Sequence, residues 1–163
     1  MSSPEGHLPT AIAALSDAGV SFVVHRHPAA RNAEELHLTG LDVNTSAKTL
    51  AFTAGDERII LAAIPGLARL RYPKLAAALG VPRSALRPAG PEVLAHLGME
   101  PGGVAPFSPA DNVTLVLERS LLELDRCYCG GGSPTVSVQV NPADLLTCMP
   151  GTIVADLCDD AVL

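Results

Sequence analysis

Lys48 is the residue of this chain whose type and position most directly suggest chemistry. It is one of only two lysines, and it lies in the apolar stretch SAKTLAF, residues 46–52. With the two-residue period of a β-strand, Lys48 shares a face with Leu50 and Phe52. Two interpretations are open. Its stem lies along apolar surface and the ammonium reaches water, or the ammonium lines a cleft and meets an anion.

Two segments rich in glycine and proline are the next candidates for a binding site. MEPGGVAPFSP, residues 99–109, has three prolines and two adjacent glycines, and CGGGSP, residues 129–134, has three glycines where one strand is expected to end and another to begin. Glycines let a ligand approach the backbone closely and leave N–H groups available to an anion or a carbonyl, while prolines stiffen the loop. Two tight connections are the simpler alternative for each segment. Together with an inward lysine, the segments favour a pocket.

Cysteines and histidines offer weaker signals. The four cysteines lack the paired spacing of a zinc site, and we interpret them as buried structural residues, with metal ligation and nucleophilic catalysis as alternatives. His25 and His27 are two residues apart, and either a structural or a catalytic role is open. The motifs of serine hydrolases, zinc proteases and nucleotide-binding proteins are absent from the sequence. We predict no metal site and no cofactor.

Composition narrows the class of protein. The 163 residues predict a single domain over 1–163, and no apolar run approaches the roughly 18–20 residues that span a bilayer. The N-terminus lacks the features of a signal peptide, so we expect a cytoplasmic protein with reduced thiols. A net charge of −6 argues against indiscriminate nucleic-acid binding. Residues 69–87 nevertheless contain five basic and no acidic residues, either as solvated side chains or as a functional patch.

The periodicity predicts an α+β fold with a mixed, curled, barrel-like sheet of about six or seven strands and short surrounding helices. We expect the Asn32–Glu35 spacing to form a capping box at the start of a helix. The expected helices cover 9–18, about two turns from 32, 72–79, 91–97 and 141–147. The expected strands cover 20–25, the two arms of a hairpin around AGDE (54–57), 112–118, 126–129, 135–140 and 151–157.

Four motifs in order carry a family resemblance. HRHP…AEE, SAKTLAF, PGGVAPFS and GGGSP followed by NPADLL resemble the YbaK/ProX family of aminoacyl-tRNA deacylases. The chain is also similar to the editing domain inserted in bacterial prolyl-tRNA synthetases, from about residue 20 to 158. The resemblance implies a small barrel of mixed strands with helices around it. The implied activity is hydrolysis of the ester between a wrongly attached amino acid and the 3′ end of a tRNA.

The resemblance also implies site residues. Lys48 matches the family's pocket lysine and is the expected catalytic residue, while Gly102 and Pro106 match the Gly-x-x-x-Pro loop that closes the amino-acid pocket, with Val104 as a candidate wall. The expected substrate-binding residues are Gly102, Gly103, Val104, Pro106, Gly130, Gly131, Gly132, Ser133, Ser137 and His27. Some members have an acid or a histidine after the glycines, where this chain offers only Ser133, Thr135 and Ser137.

A mechanism and partners follow as expectations. Lys48 holds phosphate or ribose oxygens of the tRNA end, backbone N–H groups of the glycine segments orient the carbonyl, and the neighbouring ribose hydroxyl helps to activate water. We expect removal of a small amino acid such as Ala, Cys or Ser. The expected partners are the tRNA acceptor end and an aminoacyl-tRNA synthetase, with no membrane. The alternative is a non-catalytic aminoacyl-tRNA- or nucleotide-binding module.

Overall fold

The computed structural model describes residues 8–55 and 58–159, and its architecture confirms the predicted α+β class. Within those residues there are eight strands and five α-helices. The strands are β1 Phe22–Arg26, β2 Ala47–Ala54, β3 Arg58–Pro65, β4 Leu86–Pro88, β5 Val113–Glu118, β6 Cys127–Ser133, β7 Val136–Val140 and β8 Ile153–Ala155. The helices are α1 Ala13–Ala18, α2 Ala33–Leu38, α3 Tyr72–Leu79, α4 Pro91–His96 and α5 Pro142–Cys148.

The strands form two sheets rather than the single curled, barrel-like sheet that we expected. An antiparallel sheet has the order β1-β7-β6, and a mixed sheet has the order β4-β2-β3-β5-β8. An isolated bridge between Ser46 and Tyr128 links residues beside β2 and in β6. No closed barrel forms within the part of the chain that the structure describes. Alternating hydrophobicity predicts that a segment is a strand, but it does not predict which strand will be its partner.

The core lies on both faces of β3, as its continuous apolar sequence predicted. One face, which includes Leu61, packs between the sheets with Val138 of β7. The other face, which includes Ile60, packs with Phe52 of β2 and Leu75 of α3. Because β3 is central and buried on both sides, it holds β2 in a fixed position for the site described below.

Local turn and capping signals are confirmed at the helix ends. Gly19 and Gly80 end α1 and α3 with φ angles of 72° and 70°, the left-handed conformation that glycine adopts at least cost. The Asn32 side chain accepts a hydrogen bond from the Glu35 N–H at 2.8 Å and so begins α2. The predicted capping box forms only in this half, because the Glu35 carboxylate accepts from the Arg31 N–H instead of the Asn32 N–H. The hairpin of β2 and β3 is also confirmed, although two residues of its turn (56–57) lie outside the described residues.

The prediction of a turn at the three glycines of residues 130–132 was wrong, because β6 continues through them to Ser133. The ladder between β6 and β7 shifts register between Gly130 and Ser133, and the connection to β7 is made by Pro134 and Thr135. Glycines inside a strand often mark such a bulge or a close approach of another backbone. The three-residue strand β4 was not predicted either, because it is too short to show alternation.

No helix of the described residues is long and apolar enough to cross a membrane. All four cysteines are free, and Cys127 and Cys129 are buried in the core between the sheets. Burial raises the pKa of Cys127 from its ordinary value of 9.0 to about 12 and raises that of Cys129 well above 9.0. Burial likewise raises the pKa of Cys148 and of Cys158 to about 11. These thiols are therefore protonated at neutral pH, which supports a structural role over a nucleophilic one.

The raised thiol pKa values predict a loss of stability at alkaline pH. The folded state holds the Cys127 and Cys129 protons more tightly than the unfolded chain, so their contribution to stability is complete below pH 9. As the pH rises above 9 this contribution is lost, for Cys127 up to its folded-state pKa of about 12. Urea unfolding of wild type should therefore give a free energy of unfolding that falls between pH 9 and 11. The double variant Cys127→Ala/Cys129→Ala should show a shallower fall, and an equal slope would contradict this origin.

Candidate active site

A cavity of about 640 Å³ opens between β2 and the β6–β7 pair. Its size lies within the range of about 300–1,000 Å³ that is typical of small-molecule pockets. The first turn of α2, the connection after β3 and residues 102–104 complete its lining. Elements that are remote in sequence therefore converge on one hollow.

Most of the predicted site residues meet in this cavity. Those that line it are Lys48, Gly102, Gly103, Val104, Gly130, Ser133 and Ser137. Pro106, Gly131 and Gly132 are buried but do not line it. His27 does not line it either, and it is joined to the lining through a hydrogen bond to Ser137.

Residues 100–104 and 130–133 form one wall of the cavity by direct backbone contact, and we call it the glycine wall. The Gly132 N–H donates to the Gly103 carbonyl at 2.8 Å, and the Glu100 N–H donates to the Gly132 carbonyl at 2.9 Å. A Cβ atom at Gly103 would lie 2.6 Å from Ser133 Cα, and one at Gly130 would overlap the Val104 carbonyl. Glycine is needed here because any side chain would force the two backbones apart.

Gly102 must be glycine for two reasons. Its φ of +83° lies in the left-handed region, and a Cβ atom would come within 2.6 Å of Arg31 Cγ. Arg31 also lines the cavity, and its backbone N–H donates to the Glu35 carboxylate at 2.8 Å. The 102–104 segment is thus wedged between β6 and the start of α2.

Lys48 lies at the rim of the cavity, where it is exposed. A second hollow, lined in part by Arg69 and Tyr72, shares Lys48 and Leu50 with the first. Within residues 8–55 and 58–159, no carboxylate forms an ion pair with Lys48. Both sequence interpretations therefore hold in part, since the side chain reaches water and also borders a cleft. Lys48 is thus a cation that the two hollows share.

Thr49 also lines the cavity, and sequence analysis missed it. Its Oγ1 is buried and has no hydrogen-bond partner among the described residues. A buried hydroxyl without a partner is costly, so this oxygen is available to a polar ligand group. The sequence does contain a signal for Thr49. The two-residue alternation along β2 places this polar side chain among alanines, on the face opposite that of Lys48.

His27 and Ser137 form a hydrogen-bonded pair at the cavity. The distance from His27 Nε2 to Ser137 Oγ is 2.8 Å, and the distance from His27 Nδ1 to the Pro28 carbonyl oxygen is also 2.8 Å. Because a carbonyl oxygen only accepts, the neutral ring carries its proton on Nδ1 and accepts the Ser137 hydroxyl at Nε2; the hydrogen-bond network assigns this tautomer. Ser137 is 6% exposed and lines the cavity.

Pairing of β1 with β7 produces this contact. The ladder ends with Arg26 opposite Val136, and the His27 N–H continues it by donating to the Thr135 carbonyl at 3.0 Å. Ser137 is therefore the diagonal neighbour of His27, which is within reach of a long side chain. The sequence separation of 110 residues explains why no local pattern revealed the pair.

Other residues that sequence analysis missed include Tyr128 and Gly66, both of which line the cavity. Tyr128 makes an edge-to-face contact with His25 at 5.4 Å between ring centroids. A Cβ atom at Gly66 would overlap the Ser46 hydroxyl, so this glycine permits the chain after β3 to pass close to β2. No sequence pattern marked Gly66, because its need for glycine arises only from a tertiary contact.

The basic stretch 69–87 is partly structural. Arg71 forms an ion pair with Asp159 at 3.3 Å, and the Lys74 ammonium donates to the Cys158 carbonyl at 2.7 Å. The Arg83 guanidinium lies 4.4 Å from the centre of the Tyr72 ring. Among the basic residues of this stretch, Arg69 lines the second hollow, which also contains Lys48. In the described residues, no group of three or more His, Cys, Asp or Glu side chains could hold a metal ion.

Comparison with known proteins identifies the family to which this fold and cavity correspond. Residues 27–148 match the family model of the aminoacyl-tRNA editing domain. A protein of Bacillus subtilis (strain 168), uncharacterized protein YwhH, is 28% identical over 121 residues, which are 74% of this chain and 76% of that protein. All of the predicted site residues lie within residues 27–148, the range that matches the family model.

Solved structures agree with this match. The structure of a proposed trans-editing enzyme for prolyl tRNA synthetase has a TM-score of 0.78 and 29% identity, covering 98% of this chain and 99% of that one. The crystal structure of hypothetical protein APE2540 has a TM-score of 0.76 and 26% identity, covering 89% of this chain and 96% of that one.

The close backbone contact in the glycine wall predicts that a methyl group added there will destabilise the protein, whereas one added at an open glycine will not. Gly103→Ala should lower the free energy of unfolding by about 1–3 kcal/mol, because the methyl group overlaps the Ser133 backbone. Gly90→Ala is the matched control, since Gly90 has φ of −80° and nothing within 4 Å of its added Cβ. Chemical denaturation of both variants measures the difference. Equal stabilities would show that the two backbones can separate without cost.

Proposed function

This chain belongs to the aminoacyl-tRNA editing domain family, and from that premise we propose that it is a trans-editing hydrolase. It cleaves the ester bond between a small, wrongly attached amino acid, such as Ala, Cys or Ser, and the 3′ end of a tRNA. No cofactor takes part. Residues 1–163 form one editing domain, which acts in the cytoplasm.

The observation that carries the proposal is the composition of the cavity. Two exposed cations, Lys48 and Arg31, line it, together with backbone, hydroxyl groups and apolar side chains such as Val104. An aminoacyl ester at a tRNA end has matching parts, namely a phosphate and ribose outside and a small acyl group inside. The sequence resemblance to the YbaK/ProX family supports the same role for Lys48.

The reaction needs only modest catalysis, because an ester is already activated. Lys48 holds phosphate or ribose oxygens of the terminal nucleotide, which fixes the ester relative to the cavity. Backbone N–H groups at Gly102 and Gly130, which line the cavity, orient the carbonyl and stabilise the negative charge that develops on its oxygen. The Gly132 N–H, which we expected to share this role, is already bonded to the Gly103 carbonyl. The ester can then be attacked by water.

The glycine wall also acts as a size filter. A synthetase rejects a smaller amino acid by only about 10–200-fold, so a second pocket that admits the small residue and excludes the correct one supplies the remaining accuracy. Val104 lines the cavity next to the glycines, and we assign to it the wall that limits the size of the acyl group. Pro106 is buried behind this segment and restricts its backbone.

Binding of tRNA is confined to its acceptor end. The chain carries a net charge of −6, so it lacks the broad basic surface that long duplex contacts require. Arg69 and Tyr72, in the hollow beside Lys48, offer a cation and a ring to the single-stranded end. Affinity for free tRNA is therefore low, and an aminoacyl-tRNA synthetase that presents the tRNA is the second partner.

The alternative is a non-catalytic aminoacyl-tRNA- or nucleotide-binding module of the same fold. It is favoured by one observation: no carboxylate or histidine follows the glycines in residues 133–137. This alternative predicts that wild type binds aminoacyl-tRNA without turnover. A panel of mischarged tRNAs carrying Ala, Cys or Ser distinguishes it from the hydrolase, which releases the amino acid from at least one of them.

Replacement of Lys48 should abolish deacylation without unfolding the chain. Lys48→Ala and the length-preserving Lys48→Gln should lose about 10²-fold or more in rate, because the fixed cation at the rim is gone. Lys74→Ala removes the only other lysine and should retain most of the activity. Undiminished turnover by Lys48→Ala would remove Lys48 from the mechanism.

Val104 should control which amino acids are removed. Val104→Gly should broaden the range of aminoacyl groups hydrolysed, and the larger Val104→Ile should narrow it, because each methylene changes selectivity by about tenfold or more. The measurement is the ratio of kcat/KM for alanyl-tRNA to that for a bulkier aminoacyl-tRNA. An unchanged ratio in both variants would show that Val104 is not a wall of the pocket.

A further inference from the structure

We propose that Ser137 and His27 form a proton relay that activates the hydrolytic water. This inference rests on the proposed function and supplies the general base that the sequence did not reveal. Ser137 lines the cavity, and His27, which does not line it, accepts the proton of the Ser137 hydroxyl.

The hydrogen bonds define the direction of the relay. The Pro28 carbonyl holds the proton on His27 Nδ1, so Nε2 presents a lone pair to the Ser137 hydroxyl at 2.8 Å. Ser137 therefore spends its only donor on His27, and the remaining lone pairs of its oxygen can accept a hydrogen bond from water. The same carbonyl stabilises the imidazolium that forms when Nε2 takes the proton.

The steps balance in protons and bonds. A water O–H bond breaks, its proton passes to Ser137 Oγ, and the Ser137 hydroxyl proton passes to His27 Nε2 while the water oxygen bonds to the ester carbonyl carbon. The tetrahedral intermediate then collapses, and its bond to the ribose oxygen breaks. The proton on His27 returns through Ser137 to that ribose oxygen. The products are the free amino acid and a tRNA with an intact 3′ end.

Other groups at the cavity are less suited to this role. Lys48 is a cation at the rim and has no lone pair to offer while it is charged. The Cys129 thiol is buried, and its burial raises its pKa well above 9.0. Glu34 is the single carboxylate among the described residues that line the cavity, and it is exposed on the first turn of α2. Glu34 is therefore the competing base.

The relay is tested first by the kinetics of single variants. His27→Ala and Ser137→Ala should each lower kcat by about 10²- to 10⁴-fold, with KM changed by less than about threefold, because the groups act on water rather than on tRNA binding. The double variant should fall no further than the single ones, since both residues serve one step. His37→Ala, which removes an exposed histidine of α2 that does not line the cavity, should stay close to wild type.

Chemical rescue separates a relay from a structural role. Free imidazole should restore part of the rate of His27→Ala, because it can occupy the vacated space and accept the Ser137 proton. It should not restore His27→Ala/Ser137→Ala. Nitrogen NMR of wild type provides a test that does not depend on how a variant folds, and it should show His27 with a proton on Nδ1 and an accepting Nε2.

Each outcome decides between distinct statements. Deacylation by His27→Ala within threefold of wild type, or the opposite tautomer of His27, would overturn the relay while leaving the hydrolase intact. Loss of activity in Glu34→Gln with full activity in His27→Ala would transfer the role to Glu34. An aminoacyl group trapped on Ser137 by rapid quenching and mass spectrometry would overturn the water mechanism in favour of a nucleophilic serine. If wild type hydrolyses none of the panel, the proposed function fails, and the relay fails with it.

Discussion

The contact between two backbones without intervening side chains is the constraint on which the site depends. The Gly132 N–H reaches the Gly103 carbonyl at 2.8 Å because Gly103 and Gly130 carry no Cβ atom, and a Cβ atom at either would overlap the facing backbone. This contact joins the 100–104 loop to the edge of β6 and turns an irregular connection into a wall. The backbone of this wall, including Gly102 and Gly130 of the cavity lining, is therefore held in place before any ligand arrives, and electrostatic stabilisation of a transition state requires such fixed groups.

A second consequence concerns the position of β2. Its partner β3 is buried on both faces, so β2 cannot shift or rotate without disturbing the core. Alternation along this fixed strand places Lys48 at the exposed rim and puts the buried Thr49 hydroxyl, which has no partner within residues 8–55 and 58–159, on the opposite face. Two adjacent residues thereby present a charge and a neutral polar group to different parts of the same hollow.

The smaller sheet contributes chemistry of a different kind. Pairing of β1 and β7 brings His27 next to Ser137, and the Pro28 carbonyl selects the tautomer of the ring. In the relay that we propose, the imidazole linked to a serine hydroxyl takes the place of the acid or histidine that the family resemblance implies after the glycines. The departure from the family pattern in residues 133–137 is thus compatible with a hydrolase when the sheet, rather than the local sequence, is considered.

The sequence by itself determined the features that arise from local physics. Capping at Asn32, the glycine ends of α1 and α3, the hairpin of β2 and β3 and the alternation around Lys48 all follow from interactions between residues close in the chain. The ordered motifs also identified the family. Tertiary structure alone decided that the strands form two sheets, that the glycines of 130–132 lie inside a strand, and that His27 meets Ser137. Those features depend on which strands become neighbours and how closely backbones approach, and these are choices that a one-dimensional pattern does not contain.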